Sequence, residues 1–226
     1  MIEVIEESYK KISCRMKING YLSKKWDYKL GLRQGCILSP LLFTLFIEDL
    51  ISCLQTLNIG IAVADLVVFI LMYADDLVLL AEDEKDLQKL LDELERYCKE
   101  SQSEVNLKKT KIVIFEKKPS ESSTQVIFTF SDKTIEKIQS YCYLGIFFSA
   151  NMTFNEHVEY AITKAKKGNI YSGNVSRFHS LKVPDLMFLF NTYYYLYTMV
   201  MPIVMYGAEI WYPGLNQQLK KTVESF

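Results

Sequence analysis

An α+β fold is what this chain predicts, on three observations. Stretches rich in Val, Ile and Leu at 60–71 and 77–81 read as two strands, with Asp75 and Asp76 standing between them. Leu87, Leu90, Leu91, Leu94 and Cys98 recur at helical spacing, with charges on the opposite face. Beyond Asn151 only helical patterns remain, at 154–172, 184–201 and 215–224. A boundary near residue 150 therefore separates a mixed part, 1–150, from a helical part, 151–226.

Each element has a local reason. Ile2, Ile5, Tyr9, Ile12 and Met16 line one face of an amphipathic helix over 2–17. Asn19-Gly20 marks a tight turn, and 21–30 reads as extended chain. Residues 31–39 form a loop with two glycines and no period. Ser39-Pro40 starts the next helix, with a hydroxyl cap and then proline at the first helical position, and an apolar stripe continues it from Leu41 to Leu54. After the strands, Asp83 caps the helix at 84–102. A short strand at 111–115, a polar loop at 117–124 and strands at 126–130 and 141–148 complete the mixed part.

Composition excludes several classes. Among 226 residues, 50% are apolar and 13% aromatic, enough to offset chain entropy and exclude disorder. A net charge of −1 gives no global attraction to nucleic acid, so such a role needs a local site. Cys14, Cys36, Cys53, Cys98 and Cys142 lack ligand spacing, and His157 and His179 lie far apart. Free thiols in a reducing compartment fit better than zinc or disulfides. The acidic N-terminus lacks the long apolar run of a signal peptide, so the expected place is intracellular, nuclear or cytoplasmic. Residues 186–208 carry no charge, but tyrosine hydroxyls and Pro202 fit a buried, broken helix better than a membrane span.

Charge is uneven along the chain. Residues 61–103 hold 4 basic against 11 acidic residues, and 104–118 hold 5 against 2. Most of the acidic block is the wet face of the 84–102 helix.

Three motifs carry chemistry. Asp75-Asp76, at the turn of a hairpin, offers the carboxylate oxygens that Mg²⁺ takes, although Asp is also common in ordinary turns. In Gly31-Leu32-Arg33-Gln34-Gly35-Cys36-Ile37-Leu38-Ser39-Pro40 the glycines permit close approach of the backbone, and Arg33 and Gln34 offer donors. In Asn106-Leu107-Lys108-Lys109-Thr110-Lys111 the lysines suit phosphates, or simply a solvated strand edge.

Taken in this order, the motifs resemble the later sequence blocks of reverse transcriptases, most closely those of non-LTR, LINE-type retrotransposons. The glycine loop with Ser39-Pro40-Leu41-Leu42-Phe43 resembles the template- and nucleotide-contacting block, and Tyr73-Ala74-Asp75-Asp76-Leu77 the metal-binding block. Residues Asn106 to Lys111 resemble the lysine block and Tyr143-Leu144-Gly145 the primer-grip hairpin. Tyr206-Gly207-Ala208-Glu209 with Trp211 resembles the end of the thumb region.

The resemblance implies an RNA-directed DNA polymerase: a partial palm, an antiparallel sheet with packed helices, over 1–150, and a thumb-like helical region over 151–226. It implies Asp75 and Asp76 as catalytic metal ligands, and Arg33, Gln34, Gly35, Lys109 and Lys111 at the nucleotide and template. It also implies Mg²⁺, an RNA template, a DNA primer and deoxynucleoside triphosphates. The family carries a further block before the glycine loop, a palm strand whose aspartate bridges both metals. Only 30 residues precede Gly31 here, and their acids are Glu3, Glu6, Glu7 and Asp27, none with that spacing. Glu48, Asp49 and Asp65 sit in segments already assigned. The expectation is a truncated family fold, inactive alone. The alternative is a non-catalytic, retroelement-derived module that binds nucleic acid or a protein.

Overall fold

The computed structural model describes residues 2–10, 12–27, 31–116, 126–175, 196–215, 217 and 220. The chain divides into two compact units, Met1–Ser101 and Gln102–Phe226. Helices mix with small, mostly antiparallel two-stranded sheets, as an α+β chain requires.

In the first unit, α1 (Ile2–Tyr9) is followed by strands β1 (Ser13–Cys14), β2 (Lys17–Ile18), β3 (Tyr21–Leu22) and β4 (Trp26–Asp27). The helix is shorter than its apolar period suggests. Asn19 (φ +49°) and Gly20 (φ +86°) form a two-residue turn that pairs β2 with β3. The same hairpin brings β1 against β4. Long-range pairing thus overrides the helical pattern of 12–17. Residues 28–30 of the expected extended segment lie outside the described residues.

Helix α2 (Ser39–Gln55) starts one residue earlier than a serine cap would place it. Leu38 occupies the cap position and makes no side-chain cap bond. Ser39 stands inside the helix, and its hydroxyl donates to the Arg33 carbonyl at 2.7 Å. Helix α3 (Glu84–Ser101) begins as expected, with the Asp83 carboxylate accepting from the Asp86 amide at 2.8 Å. Leu50 and Leu54 of α2 and Leu90 of α3 are fully buried, joined by Ile59, Leu91, Leu94, Tyr97 and Cys98. Each fully buried leucine stabilises this core by roughly 1.5–3 kcal/mol. The Tyr97 hydroxyl donates to the Phe46 carbonyl at 2.6 Å and ties the two helices together. On the outer face of α3, Lys89 pairs with Asp86 (2.7 Å), Arg96 with Glu93 and Glu100, and Lys99 with Glu95 (2.5 Å). Hydrogen bonding to Arg96 holds the Glu93 carboxyl below its usual range.

The stretch 60–71 is not one strand. It folds back as β5 (Ile61–Val63) and β6 (Leu66–Val68), with Ala64-Asp65 as the loop. Strands β7 (Ile70–Tyr73) and β8 (Asp76–Leu79) repeat the device, with Ala74-Asp75 as the loop. Ala64 (φ +51°) and Ala74 (φ +52°) both take the left-handed conformation. Gly60 is required at the entrance to β5: a Cβ there would stand 2.7 Å from Val67 Cγ1 and 2.9 Å from the Val68 carbonyl oxygen.

In the second unit, β9 (Lys111–Ile112) pairs in parallel with β12 (Glu136–Lys137), while β10 (Thr129–Phe130) and β11 (Lys133–Thr134) form a hairpin. Ile112, Phe128, Phe130 and Ile135 are buried. Strands β13 (Ser140–Tyr143) and β14 (Ile146–Ser149) form the next hairpin, and α4 (Asn155–Val175) comes after it. The change from strands to helix anticipated near residue 150 falls here, inside this unit.

Val158 and Ala165 of α4 pack with Val200, Val204, Trp211 and Leu215. These last come from a π-helical turn (Leu196–Val200), α5 (Met201–Val204), α6 (Ala208–Trp211) and the residues after it. Pro202 lies in the first turn of α5, where its missing N–H is tolerated. The loop at 117–124, most of the helix expected at 184–201 and most of that at 215–224 lie outside the described residues. Among the described residues, no helix is long and apolar enough to cross a membrane.

Candidate active site

Apolar β-formers on both strands build the acidic hairpin. Its register runs from Ile70 opposite Leu79 to Tyr73 opposite Asp76, which leaves Ala74 and Asp75 as the loop. Directly opposed residues share a face of an antiparallel pair, so Asp76 stands beside Tyr73. Asp75, Asp76 and Tyr73 are all exposed. The left-handed Ala74 costs about 1 kcal/mol or more, which the pairing on either side must overcome. The sequence therefore delivers two adjacent carboxylates to solvent on a short, strained turn. Among the described residues, no group of three or more His, Cys, Asp or Glu gathers to hold a metal ion.

The glycine loop belongs to the same unit and is tied to α1. The Arg33 guanidinium lies 5.2 Å from the centre of the Tyr9 ring and donates to the Ser8 carbonyl. An arginine at the last turn of a helix satisfies a carbonyl that the helix itself leaves unpaired. The Arg33 carbonyl in turn accepts from the Ser39 hydroxyl, which lies 3.3 Å from the Tyr9 hydroxyl. Arg33 is thus engaged in holding the loop. Gln34 and Gly35 are exposed, and Gly35 sits at φ +79° with open space around it. Its glycine answers a backbone need and not a steric one. Hydrogen bonding to the Leu38 backbone holds the Cys36 thiol below its ordinary value.

In the second unit, the Asn106 side-chain carbonyl accepts from the amides of Lys108 (3.2 Å) and Lys109 (3.4 Å). This Asx-type turn leaves Lys108 and Lys109 exposed. Lys111 differs, because its ammonium pairs with Glu136, its register partner across β9 and β12. The Tyr141 hydroxyl donates to the Lys109 carbonyl at 3.4 Å.

Tyr143-Leu144-Gly145 sits at the tip of the β13–β14 hairpin. Leu144 (φ +48°) and Gly145 (φ +82°) both have positive φ, the pattern of a type I′ turn. The Tyr206 hydroxyl donates to the Leu144 carbonyl at 2.9 Å. The Trp211 indole N–H donates to the Tyr206 carbonyl, also at 2.9 Å. Behind the tip, the Phe147 amide donates to His157 Nδ1 at 3.4 Å, and the His157 ring lies 5.4 Å from that of Trp211. Burial pushes the His157 imidazole below its ordinary pKa. Both segments stand out in the sequence, but nothing there joins them: Tyr206 lies 62 positions from Leu144.

A family model described as reverse transcriptase (RNA-dependent DNA polymerase) matches residues 2–148. The chain is 30% identical over 173 residues to the Transposon TX1 uncharacterized 149 kDa protein of Xenopus laevis, with 72% of this chain and 13% of that protein covered. It is 28% identical over 155 residues to the retrovirus-related Pol polyprotein from type-2 retrotransposable element R2DM of Drosophila melanogaster, with 66% and 15% covered. It is 23% identical over 225 residues to the RNA-directed DNA polymerase from mobile element jockey of Drosophila melanogaster, with 96% and 23% covered. The chain thus spans less than a quarter of the length of each of these relatives.

Proposed function

The chain belongs to the reverse transcriptase family, of the non-LTR retrotransposon type, and on that premise we propose that it forms part of the polymerase centre of an RNA-directed DNA polymerase. In this reading 1–150 is a partial palm, 151–226 a thumb-like region, and the substrates are an RNA template, a DNA primer and deoxynucleoside triphosphates. The observation that carries it is the exposed Asp75-Asp76 pair on a strained hairpin turn.

The donor chemistry of that turn fits Mg²⁺, which is held by one or two carboxylates together with substrate phosphates and keeps several waters. Asp75 is the ligand, with Asp76 beside it. Mg²⁺, when bound, supplies charge stabilisation to the phosphoryl group in transfer. Gln34 and Gly35 meet the nucleotide and template through their exposed loop. Arg33 supports that loop through Tyr9 and Ser8. Lys109 is exposed and suits the triphosphate, whereas Lys111 is engaged with Glu136. The Tyr143-Leu144-Gly145 tip contacts the primer.

Two carboxylates from one turn do not position two metals at once, so the 226-residue chain by itself does not extend a primer. Mn²⁺ titration of the chain, monitored by paramagnetic relaxation, tests the assignment. Weak binding that Asp75→Asn abolishes is expected, and tight binding indifferent to the substitution overturns it. Primer extension on an RNA template is expected to be absent. Incorporation that Asp75→Ala abolishes would show that a further acid completes the site.

A further inference from the structure

The tip of the β13–β14 hairpin is pinned by a segment of the thumb-like region to which the polymerase reading gives no contact with substrate. A two-residue turn has few ladder bonds of its own, and the Leu144 carbonyl finds its donor in the Tyr206 hydroxyl at 2.9 Å. The same ring lies on Gly145, where a Cβ would stand 3.0 Å from Tyr206 Cε1. Gly207, at φ +64°, allows the chain to pass close to Ile146, whose Cδ1 a Cβ at 207 would strike. Below the ring, the Tyr206 carbonyl is held by the indole of Trp211, which is completely buried. Tyr206 itself is 55% exposed. Burial therefore does not explain its place: the backbone of 206–207 carries the ring to the surface, and the hydroxyl and ring face are both used on the turn.

We propose that Tyr206 is a positioning residue for the primer strand, acting through the Leu144-Gly145 turn that it pins to the Trp211-anchored core. The proposal rests on the reading of that turn as the primer contact. The hydroxyl fixes the direction of the Leu144 carbonyl, and the ring sets the height of the Gly145 backbone. Without the hydroxyl the turn keeps its pairing but loses its fixed orientation.

The test uses the full 226-residue chain, with Tyr206→Phe, Gly145→Ala and Tyr143→Ala. The probe is an RNA–DNA hybrid carrying a fluorescent primer, read by anisotropy. Amide exchange at Gly145 and Ile146 and the thermal midpoint are measured alongside. Tyr206→Phe is expected to weaken hybrid binding by roughly 3- to 10-fold, the loss of one hydrogen bond's worth of order. It should speed exchange at the turn by a similar factor and leave the midpoint nearly unchanged. A merely structural role moves the midpoint and leaves affinity alone. If Gly145→Ala and Tyr143→Ala weaken binding while Tyr206→Phe changes neither affinity nor exchange, the pinning role is overturned and the primer contact stands. If Tyr206→Phe loosens the turn but no variant changes affinity, or the parent chain does not bind the hybrid, the primer contact fails and the positioning role falls with it.

Discussion

Replacing Gly60 by alanine should disrupt the hairpin that leads into the acidic strands. Gly60 sits at φ +154°, a conformation in which L side chains are strained at a typical cost of about 1–3 kcal/mol. The added methyl would lie 2.7 Å from Val67 Cγ1, 2.9 Å from the Val68 carbonyl oxygen and 3.1 Å from Phe69 Cβ. A rotamer change can relieve the first contact, but the second is backbone and belongs to β6. Overpacking of this kind costs about 1–3 kcal/mol. The two effects overlap, since one backbone shift relieves both, so roughly 2–4 kcal/mol is expected. With a urea m-value of about 2 kcal/mol/M, the unfolding midpoint of the first unit should fall by about 1–2 M. Circular dichroism in urea, with amide exchange at Leu54 and Leu90 as local reporters, measures it. Adding Val67→Ala should restore only a minor part of the loss. Full restoration would locate the clash in the side chain, and an unchanged midpoint would refute the argument altogether.

Leu54→Ala should cost about 2–5 kcal/mol, because a completely buried leucine leaves a cavity between α2 and α3; equilibrium unfolding measures it. Burial holds the His157 imidazole below its ordinary value of 6.5, so its stabilising contribution is whole above that pH and is lost as pH falls through the lowered value. Thermal midpoints from pH 7.5 downwards should show a decline that His157→Gln flattens. Lys108→Ala with Lys109→Ala should weaken binding of an RNA–DNA hybrid and lower its salt dependence, while Lys111→Met should do neither, since that ammonium is engaged with Glu136. Anisotropy titrations at several salt concentrations separate the two. Arg33→Lys should loosen the glycine loop by losing both the stacking on Tyr9 and the contact with Ser8, which amide exchange at Cys36 and Ser39 reports.

Local features were legible in the sequence. The α3 helix was readable because Asp83 and the Leu87 to Cys98 spacing lie within one segment and agree with each other. The acidic hairpin was readable for the same reason, whereas 141–148 has the pattern of one strand and breaks at the Leu144-Gly145 turn, a hairpin that only the family resemblance implied. Local pattern and structure part where a strand or side chain finds its partner outside its own segment. Residues 12–17 carry a helical period, but pairing with 21–27 claims them. Ser39 has the look of a cap, yet its hydroxyl closes on Arg33. The partners of Arg33 and Lys111 each lie 25 positions away, so the engagement of both cations was invisible in the sequence. The break at Ala64-Asp65 was hidden because alanine gives no turn signal, although it adopts the conformation that glycine or asparagine favours.

The paired turns Ala64-Asp65 and Ala74-Asp75 supply an internal comparator. They share loop length, an alanine at nearly the same φ, and an exposed aspartate next in line. They differ at the first residue of the returning strand, which is Leu66 in one hairpin and Asp76 in the other. A cation that answered to turn shape, or to one exposed carboxylate, would visit both alike. Any preference between them measures in one molecule, at one pH and one ionic strength, what Asp76 and the surroundings of the second turn add. Exchanging Leu66 for aspartate and Asp76 for leucine then asks whether that preference travels with the second acid or stays with the hairpin.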